Sequence, residues 1–389
     1  MFPLPNIKRK LLTLFLIISS GMMAQLSFAN TTVPGTLIEK TALDAKNGLQ
    51  EASEQYLIRY RSLSGVDGKS LREDTGAVFI PKGEAPKGGW PVVVWTHGTI
   101  GVGTSCAPSL NPRSERDSQY LNTWLSLGFA IVAPDYAGLG SAGLHHYLNA
   151  RGEAWSVLDS VKAALSAFPL RNQLILVGQS QGAHAAFASA GYQPDYAPDL
   201  HIVSTVLTGT PYFDDKTSAA TLFAGKNGVK EGGDPKLPYV MYIYLSAADT
   251  KKELNADDYF TPKAVADVPA AREMCIGELT QKVMDDGLNA DNSLKPAIQE
   301  LLQSQTPSLR YNTLKIAHPV FIGIGTHDIN VPTEMQRVFA RDVTKAGTSV
   351  DVHEYKDMSH SETVNVSLRD SVSFVLKNLQ ADNAKQTKQ

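Results

Sequence analysis

Short apolar runs and longer amphipathic stretches take turns along most of this chain. Residues 91–96 (P-V-V-V-W-T) form a run of β-branched and aromatic side chains, and 129–133, 174–177 and 202–207 repeat its character. Between them, 118–127 and 153–168 carry apolar residues at helical spacing, the second stopping before Pro169, and 182–190 reads as a helix of small residues. Strands that are apolar throughout and separated by helices describe a parallel sheet covered on both faces. Upstream, 37–49 has a weak helical pattern, 55–63 alternates as a half-buried strand does, 76–80 is a second short apolar run, and 83–89 is a turn. The rhythm stops at 212. From there to 309 the pattern is mostly helical, clearest at 239–247 and 292–303, and then 319–324, 334–345, 350–355 and 367–379 resume the alternation. The polar tail 380–389 is expected to fray. This organisation divides the chain into a leader at 1–29, a core in two parts at 30–211 and 310–389, and a helical insertion at 212–309.

Composition narrows the class. The chain has 389 residues, 43% hydrophobic and 19% charged, which is a globular balance. Its formal charge is −3 with no basic cluster, and phosphate neutralisation needs clustered Lys and Arg, so a nucleic-acid partner is not expected. Lys8, Arg9 and Lys10 precede an apolar stretch at 11–18, and Ser27-Phe28-Ala29 supplies small residues where a signal peptidase cuts. That is the layout of a secretory signal peptide cleaved near Ala29, giving a secreted or periplasmic protein. Ser19, Ser20, Gly21 and Gln25 break the run well short of the roughly 20 apolar residues a membrane span needs. No later stretch is apolar enough either, so stable membrane insertion is not expected. The two cysteines, Cys106 and Cys275, read in an oxidising compartment as one disulfide, the alternative being two unrelated buried thiols.

The strongest chemical signal is Gly178-Gln179-Ser180-Gln181-Gly182, set between the 174–177 strand and a helix. A serine on so sharp a turn presents its hydroxyl above the sheet, and flanking glycines are needed where backbones crowd. A hydroxyl is a poor nucleophile until a base takes its proton. In this topology the acid and the base follow the serine, acid first. Asp328, in Thr326-His327-Asp328, ends a strand at the edge where such sheets bind ligands. His360 follows the 350–355 strand in a loop. The reading is Ser180 as nucleophile, His360 as general base and acid, and Asp328 orienting the imidazole. His327 would share a short turn with its own acid, His353 sits within a strand, and Asp135 precedes the serine and shapes a turn. Asp351 and Asp357 are weaker alternatives to Asp328. The oxyanion needs two donors. The backbone N–H of Gln181 is one, and the loop His97-Gly98-Thr99 supplies the other, best assigned to Thr99. No G-x-G-x-x-G opens a helix and no Walker lysine follows, so no nucleotide cofactor is expected. No H-E-x-x-H or C-x-x-C marks a metal site, and His145-His146 reads as a solvated or pocket-edge pair.

These residues, with Pro134-Asp135-Tyr136-Ala137-Gly138-Leu139-Gly140, His146-Tyr147-Leu148, Leu158-Asp159, Gly325-Thr326-His327-Asp328 and Val331-Pro332, resemble the α/β-hydrolase superfamily. Within it they are most similar to the secretory lipase and esterase group related to lipase A. The resemblance runs from about 55 to 379 and is thin in the insertion. It implies an α/β-hydrolase fold, a mostly parallel central sheet flanked by helices, with 212–309 as a helical cap that covers the site and shapes an acyl pocket. That group can also tie the loop after the oxyanion strand to the cap by a disulfide, which Cys106 and Cys275 would fit. The implied activity is a secreted serine carboxylic-ester hydrolase, esterase or lipase, acting on a small-molecule or lipid ester without a cofactor. The alternatives are a secreted serine aminopeptidase of the same fold, using the acid-rich 255–258 segment to hold an amine, and a non-catalytic binding protein.

Overall fold

The computed structural model describes residue 1 and residues 33–223 and 231–387. The signal peptide expected at 1–29 lies outside the described residues apart from Met1.

Nine strands form one sheet: β1 (Leu37–Ala42), β2 (Ala52–Leu63), β3 (Leu71–Pro81), β4 (Trp90–Thr96), β5 (Ala130–Pro134), β6 (Leu170–Gln179), β7 (Ile202–Thr208), β8 (Val320–Gly325) and β9 (Val350–Tyr355). Their order across the sheet is β1-β2-β3-β5-β4-β6-β7-β8-β9. The pairings from β1 to β5 are antiparallel and all later ones are parallel. Parallel neighbours need crossovers, and helices supply them. These are α1 (Glu115–Ser126), α2 (Ala150–Ala167) and α3 (Gln181–Tyr196) before β7 and α11 (Thr333–Lys345) between β8 and β9, while α12 (Glu362–Val366) and α13 (Leu368–Gln386) follow the last strand. Between β7 and β8 the described residues form α4 (Ala219–Phe223), α5 (Leu237–Thr250), α6 (Ala256–Tyr259), α7 (Asp267–Glu273), α8 (Ile276–Asp285), α9 (Ala290–Ser293) and α10 (Ala297–Leu309).

The period-two geometry of a strand sorts β4 between two cores. Val92 and Val94 pack with Val157, Leu158 and Phe187 of α2 and α3, whereas Val93 and Trp95 pack with Trp124 of α1 and Val375 of α13. Both faces are therefore covered, which is why the central strands are apolar along their whole length. The helices between β7 and β8 have a separate core around Tyr242, Phe260, Leu279 and Leu302, joined by Val102, Leu144 and Tyr147 from loops of the sheet. Because β4 and β6 to β9 run parallel, their following loops all emerge at one edge, where an α/β sheet binds ligands.

Three local expectations give way to tertiary context. Residues 37–42 pair with β2 as an edge strand, not a helix, since the neighbouring strand offers backbone partners that a weak helical pattern cannot match. The helix expected over 292–303 divides into α9 and α10 because Pro296 cannot donate within a helix and restricts the residue before it. The tail does not fray at 380. Helix α13 continues to Gln386, where the Gln173 amide donates to Asp382 and Asn383 at 2.8 and 2.9 Å, and His201 meets Asp382 at 2.8 Å.

Candidate active site

Strand β6 delivers Ser180 to the top of the sheet. Its register against β7 pairs Gln179 with Thr208, and the Ser180 N–H donates to the Thr208 carbonyl at 2.9 Å. The chain then turns directly into α3, so Ser180 is forced to φ 58° and ψ −123°, a left-handed conformation that non-glycine residues rarely adopt. The turn also explains the glycine after it. A Cβ on Gly182 would run into the carbonyl oxygen of Thr96 at the end of β4. The helix begins at Gln181, so its first N–H groups have no intrahelical acceptor and are free to meet a negative charge.

The candidate acid and base, Asp328 and His360, come from the loops after β8 and β9. Asp328 is buried, and its Oδ1 accepts the N–H groups of Asn330 at 3.0 Å and Val331 at 2.9 Å, an Asx turn that fixes the carboxylate. Its Oδ2 accepts from Gln336 Nε2 at 2.9 Å and from His360 Nδ1 at 2.7 Å. A carboxylate only accepts, so Nδ1 carries the imidazole proton and Nε2 is left bare. The two loops are laced together, with the His327 N–H on the Met358 carbonyl at 3.0 Å and the Asp357 N–H on Thr326 Oγ1 at 2.8 Å. His327, Asp351 and Asp357 are exposed, and His353 bonds Asp351 at 3.0 Å on the far edge of the sheet.

The loop after β4 presents Thr99. Both ring nitrogens of the buried His97 face carbonyl oxygens, Gly98 O at 2.7 Å and Asp135 O at 3.2 Å. Burial holds the His97 ring's pKa below its ordinary value, so the neutral ring has one N–H, and the shorter contact takes it. Among the described residues the peptides are all trans, and in a trans peptide the C=O and N–H point in opposite directions. With the Gly98 carbonyl turned back onto His97, the Thr99 N–H faces the other way. The Thr99 hydroxyl is tied to the Tyr147 hydroxyl at 2.8 Å. Asp135, expected only to shape a turn, is fully buried. It pins this region by accepting from the Ser109 N–H at 2.9 Å and Thr75 Oγ1 at 2.8 Å, and desolvation pushes its carboxyl pKa up.

Ser180, His360 and Thr99 line one cavity of about 370 Å³, walled by Trp95, Ile100, Pro108, Tyr239 and Ile276. Tyr239 belongs to α5 and Ile276 to α8, so the helices inserted between β7 and β8 form part of the wall. Cys106 and Cys275 are bonded, with Cα atoms 5.4 Å apart, and beside them the Ile276 N–H donates to the Ile100 carbonyl at 2.8 Å. This seam joins the loop after β4 to the inserted helices.

Several residues here escaped the sequence reading. The Arg116 guanidinium reaches Ser361 Oγ at 3.2 Å and Gln179 Oε1 at 3.4 Å, touching the neighbour of His360 and the neighbour of Ser180. Gly209 packs against the His360 ring. Its place directly after β7, at the same edge as Ser180, was the available signal. His145 corrects an expectation. Instead of a solvated pair with His146, its ring is buried, bonded to the Ala137 carbonyl at 3.0 Å and to the Gln181 side chain at 2.6 Å, and burial lowers its pKa to about 3. His146 alone reaches the surface region, at 3.1 Å from Asp249.

Comparison with known proteins agrees with this geometry. Residues 113–386 match the family model described as secretory lipase. A secreted triacylglycerol lipase of Malassezia globosa is 23% identical over 367 residues, 85% of this chain and 72% of that protein. Lipase A of Moesziomyces aphidis is 22% identical over 373 residues, 89% of this chain and 76% of its own length. Among solved structures, Candida antarctica lipase A in its closed state matches with a TM-score of 0.70 at 18% identity, covering 90% of this chain and 83% of that one. The rice cell wall degrading esterase LipA of Xanthomonas oryzae matches with a TM-score of 0.70 at 18% identity, covering 88% and 96%. Such structural likenesses speak for the fold, an α/β-hydrolase, while the family model carries membership. With a sheet that places a strained serine, a histidine and a buried aspartate at one edge, the chain belongs to the secretory lipase family and is a carboxylic-ester hydrolase.

Proposed function

We propose that Ser180, His360 and Asp328 hydrolyse a carboxylic ester through an acyl-enzyme, beneath a cap formed by 212–309. The observation that carries this reading is the convergence of Ser180 and His360 on one cavity, with His360 Nδ1 held by Asp328. His360 Nε2 takes the Ser180 proton as Oγ attacks the ester carbonyl carbon. Negative charge moves onto the carbonyl oxygen, where the N–H groups of Gln181 and Thr99 receive it. Collapse breaks the bond to the alcohol oxygen, which leaves with the proton from His360. A water then gives its proton to His360, attacks the acyl carbon and releases the acid, and the proton returns to Ser180. The Asp328 carboxylate stabilises the imidazolium throughout.

The apolar wall suits an acyl chain or an aromatic group, and relatives named triacylglycerol lipases favour the acyl chain. An aminopeptidase would need a carboxylate for the substrate amine. Asp257 and Asp258 are exposed on α6, and the cavity's Asp117 is engaged by Arg116 at 2.7 Å. Export with cleavage near Ala29 completes the reading, and N-terminal sequencing of the secreted protein checks it.

The test is a p-nitrophenyl ester series, acetate to palmitate, with the mature protein and Ser180→Ala. Loss of at least about a thousandfold in kcat supports the nucleophile. Equal rates in the two proteins would overturn it.

A further inference from the structure

Beneath the serine turn lies a cluster of polar side chains that take no direct part in the chemistry above. Glu153, His145, Gln181 and His184 are all buried, with 1%, 2%, 1% and 0% of their surface exposed, and none of the four lines the cavity. They arrive from the loop before α2, the first turn of α2 and the first turns of α3. Such a cluster in a hydrophobic interior is costly unless its hydrogen bonds are made.

Counting donors assigns every proton but one. His145 Nδ1 faces the Ala137 carbonyl at 3.0 Å and must donate, so its Nε2 is bare and accepts from Gln181 Nε2 at 2.6 Å. The second N–H of the same amide goes to Glu153 Oε1 at 2.8 Å, which also accepts the Leu148 N–H at 3.1 Å. His184 Nε2 faces the carbonyl of Leu309, the last residue of α10, at 2.7 Å and must donate too. That leaves Glu153 Oε2 and His184 Nδ1, 3.1 Å apart, sharing one proton. The Gln181 amide is thus clamped by both its N–H groups, while its own Oε1 has no partner. Its hydrogen bonds serve to hold the side chain.

We infer that Glu153 is a positioning residue for ester hydrolysis: through the clamped amide it fixes the backbone of Gln181, whose N–H receives the oxyanion, and through His184 it ties that point to the end of the cap at Leu309. The inference rests on the reading of Ser180 as nucleophile. Oxyanion stabilisation depends on a donor fixed before charge develops. A Gln181 side chain cut loose lets the first turn of α3 move, with Ser180 still present and substrate still bound.

Gln181→Met removes the clamp from one side and Glu153→Met from the other, each nearly conserving volume. The probe is p-nitrophenyl butyrate, with rates expressed per serine titrated by a p-nitrophenyl phosphonate. Each variant is expected to lose about ten- to a hundredfold in kcat with KM within about twofold, less than the loss of an entire oxyanion donor. Glu153→Gln is the rescue. Its oxygen still accepts from Gln181 and Leu148, and its amide N–H donates to a neutral His184, so kcat should stay within about threefold of wild type. A packing role alone would lower the melting temperature and leave kcat per titrated serine unchanged, and that result in either Met variant overturns the inference. So does a loss in Glu153→Gln as large as in the Met variants. Failure of the phosphonate to label wild-type Ser180 would instead sink the nucleophile assignment on which the inference stands.

Discussion

Replacing Gly209 by Ala tests how tightly the proposed base, His360, is held. Gly209 follows β7 with φ +62°, and a Cβ there would lie 2.6 Å from Cε1 and 2.8 Å from Nδ1 of His360, and 3.5 Å from Asp328 Oδ2. Carbon atoms rest at about 3.5–4.0 Å from one another, so the ring must retreat by roughly 1 Å. It cannot do so without stretching the 2.7 Å bond to Asp328 or shifting Nε2 relative to Ser180. A misplacement of about 1 Å at a reacting group costs on the order of a hundredfold. The left-handed backbone adds about 1–2 kcal/mol of strain for any L side chain, a stability cost separate from the clash. Gly347 separates the two effects, since it also has positive φ, +95°, but nothing stands within 4 Å of its missing Cβ. Steady-state kinetics on p-nitrophenyl butyrate, with titrated serines and a melting curve, should show both alanine variants destabilised. Only Gly209→Ala should lose about a hundredfold in kcat. A Gly209→Ala enzyme that folds and keeps kcat within threefold of the Gly347→Ala control would refute the placement of His360 as base.

Two further outcomes follow from groups away from the serine. Desolvation pushes the Asp159 carboxyl up to about 7 although Ser62, Leu63 and Tyr196 donate to it. A raised carboxyl binds its proton more tightly when folded, so its contribution is full below about pH 4 and is lost as pH rises to about 7. Asp159→Asn should therefore gain melting temperature over wild type at pH 8 and little at pH 4, and an equal gain at both would count against the assignment. The Cys106–Cys275 bond closes 169 residues, for which loop entropy allows up to about 5 kcal/mol. Reductant should lower the melting temperature of the wild type and leave a Cys106→Ser, Cys275→Ser variant unmoved.

Much of this arrangement was legible because it is written in local pattern. The apolar runs at 91–96, 174–177 and 202–207 declare buried strands, and Gly178 to Gly182 announces a turn whose crowding requires glycine. The order of serine, aspartate and histidine along the chain, with each near a strand's end, pointed to Asp328 over Asp351 and Asp357, and the structure brings Asp328 Oδ2 within 2.7 Å of His360 Nδ1. What stayed hidden depends on partners far away in sequence. Residues 37–42 become a strand only because β2 lies beside them. Glu153 looks like an ordinary acid in the first turn of a helix, and nothing near it points to Gln181 or His184. Gln336, eight residues beyond Asp328, reads as one more polar helix position until the loop folds its amide onto the carboxylate. The secretory lipase resemblance, drawn from the motifs, agrees with the family match over 113–386.

The sheet's pairing order also sets a timetable. β8 pairs with β7, and β9 with β8. During synthesis a chain folds from its N-terminal side, so the serine turn at the end of β6 can form while the segment bearing Asp328 and His360 has yet to be made. On the proposed triad, the hydroxyl has no base until β8 and β9 dock. On that reading, a chain whose last two strands have yet to dock would be inert toward esters, and hydrolytic competence would arrive only as those strands are added.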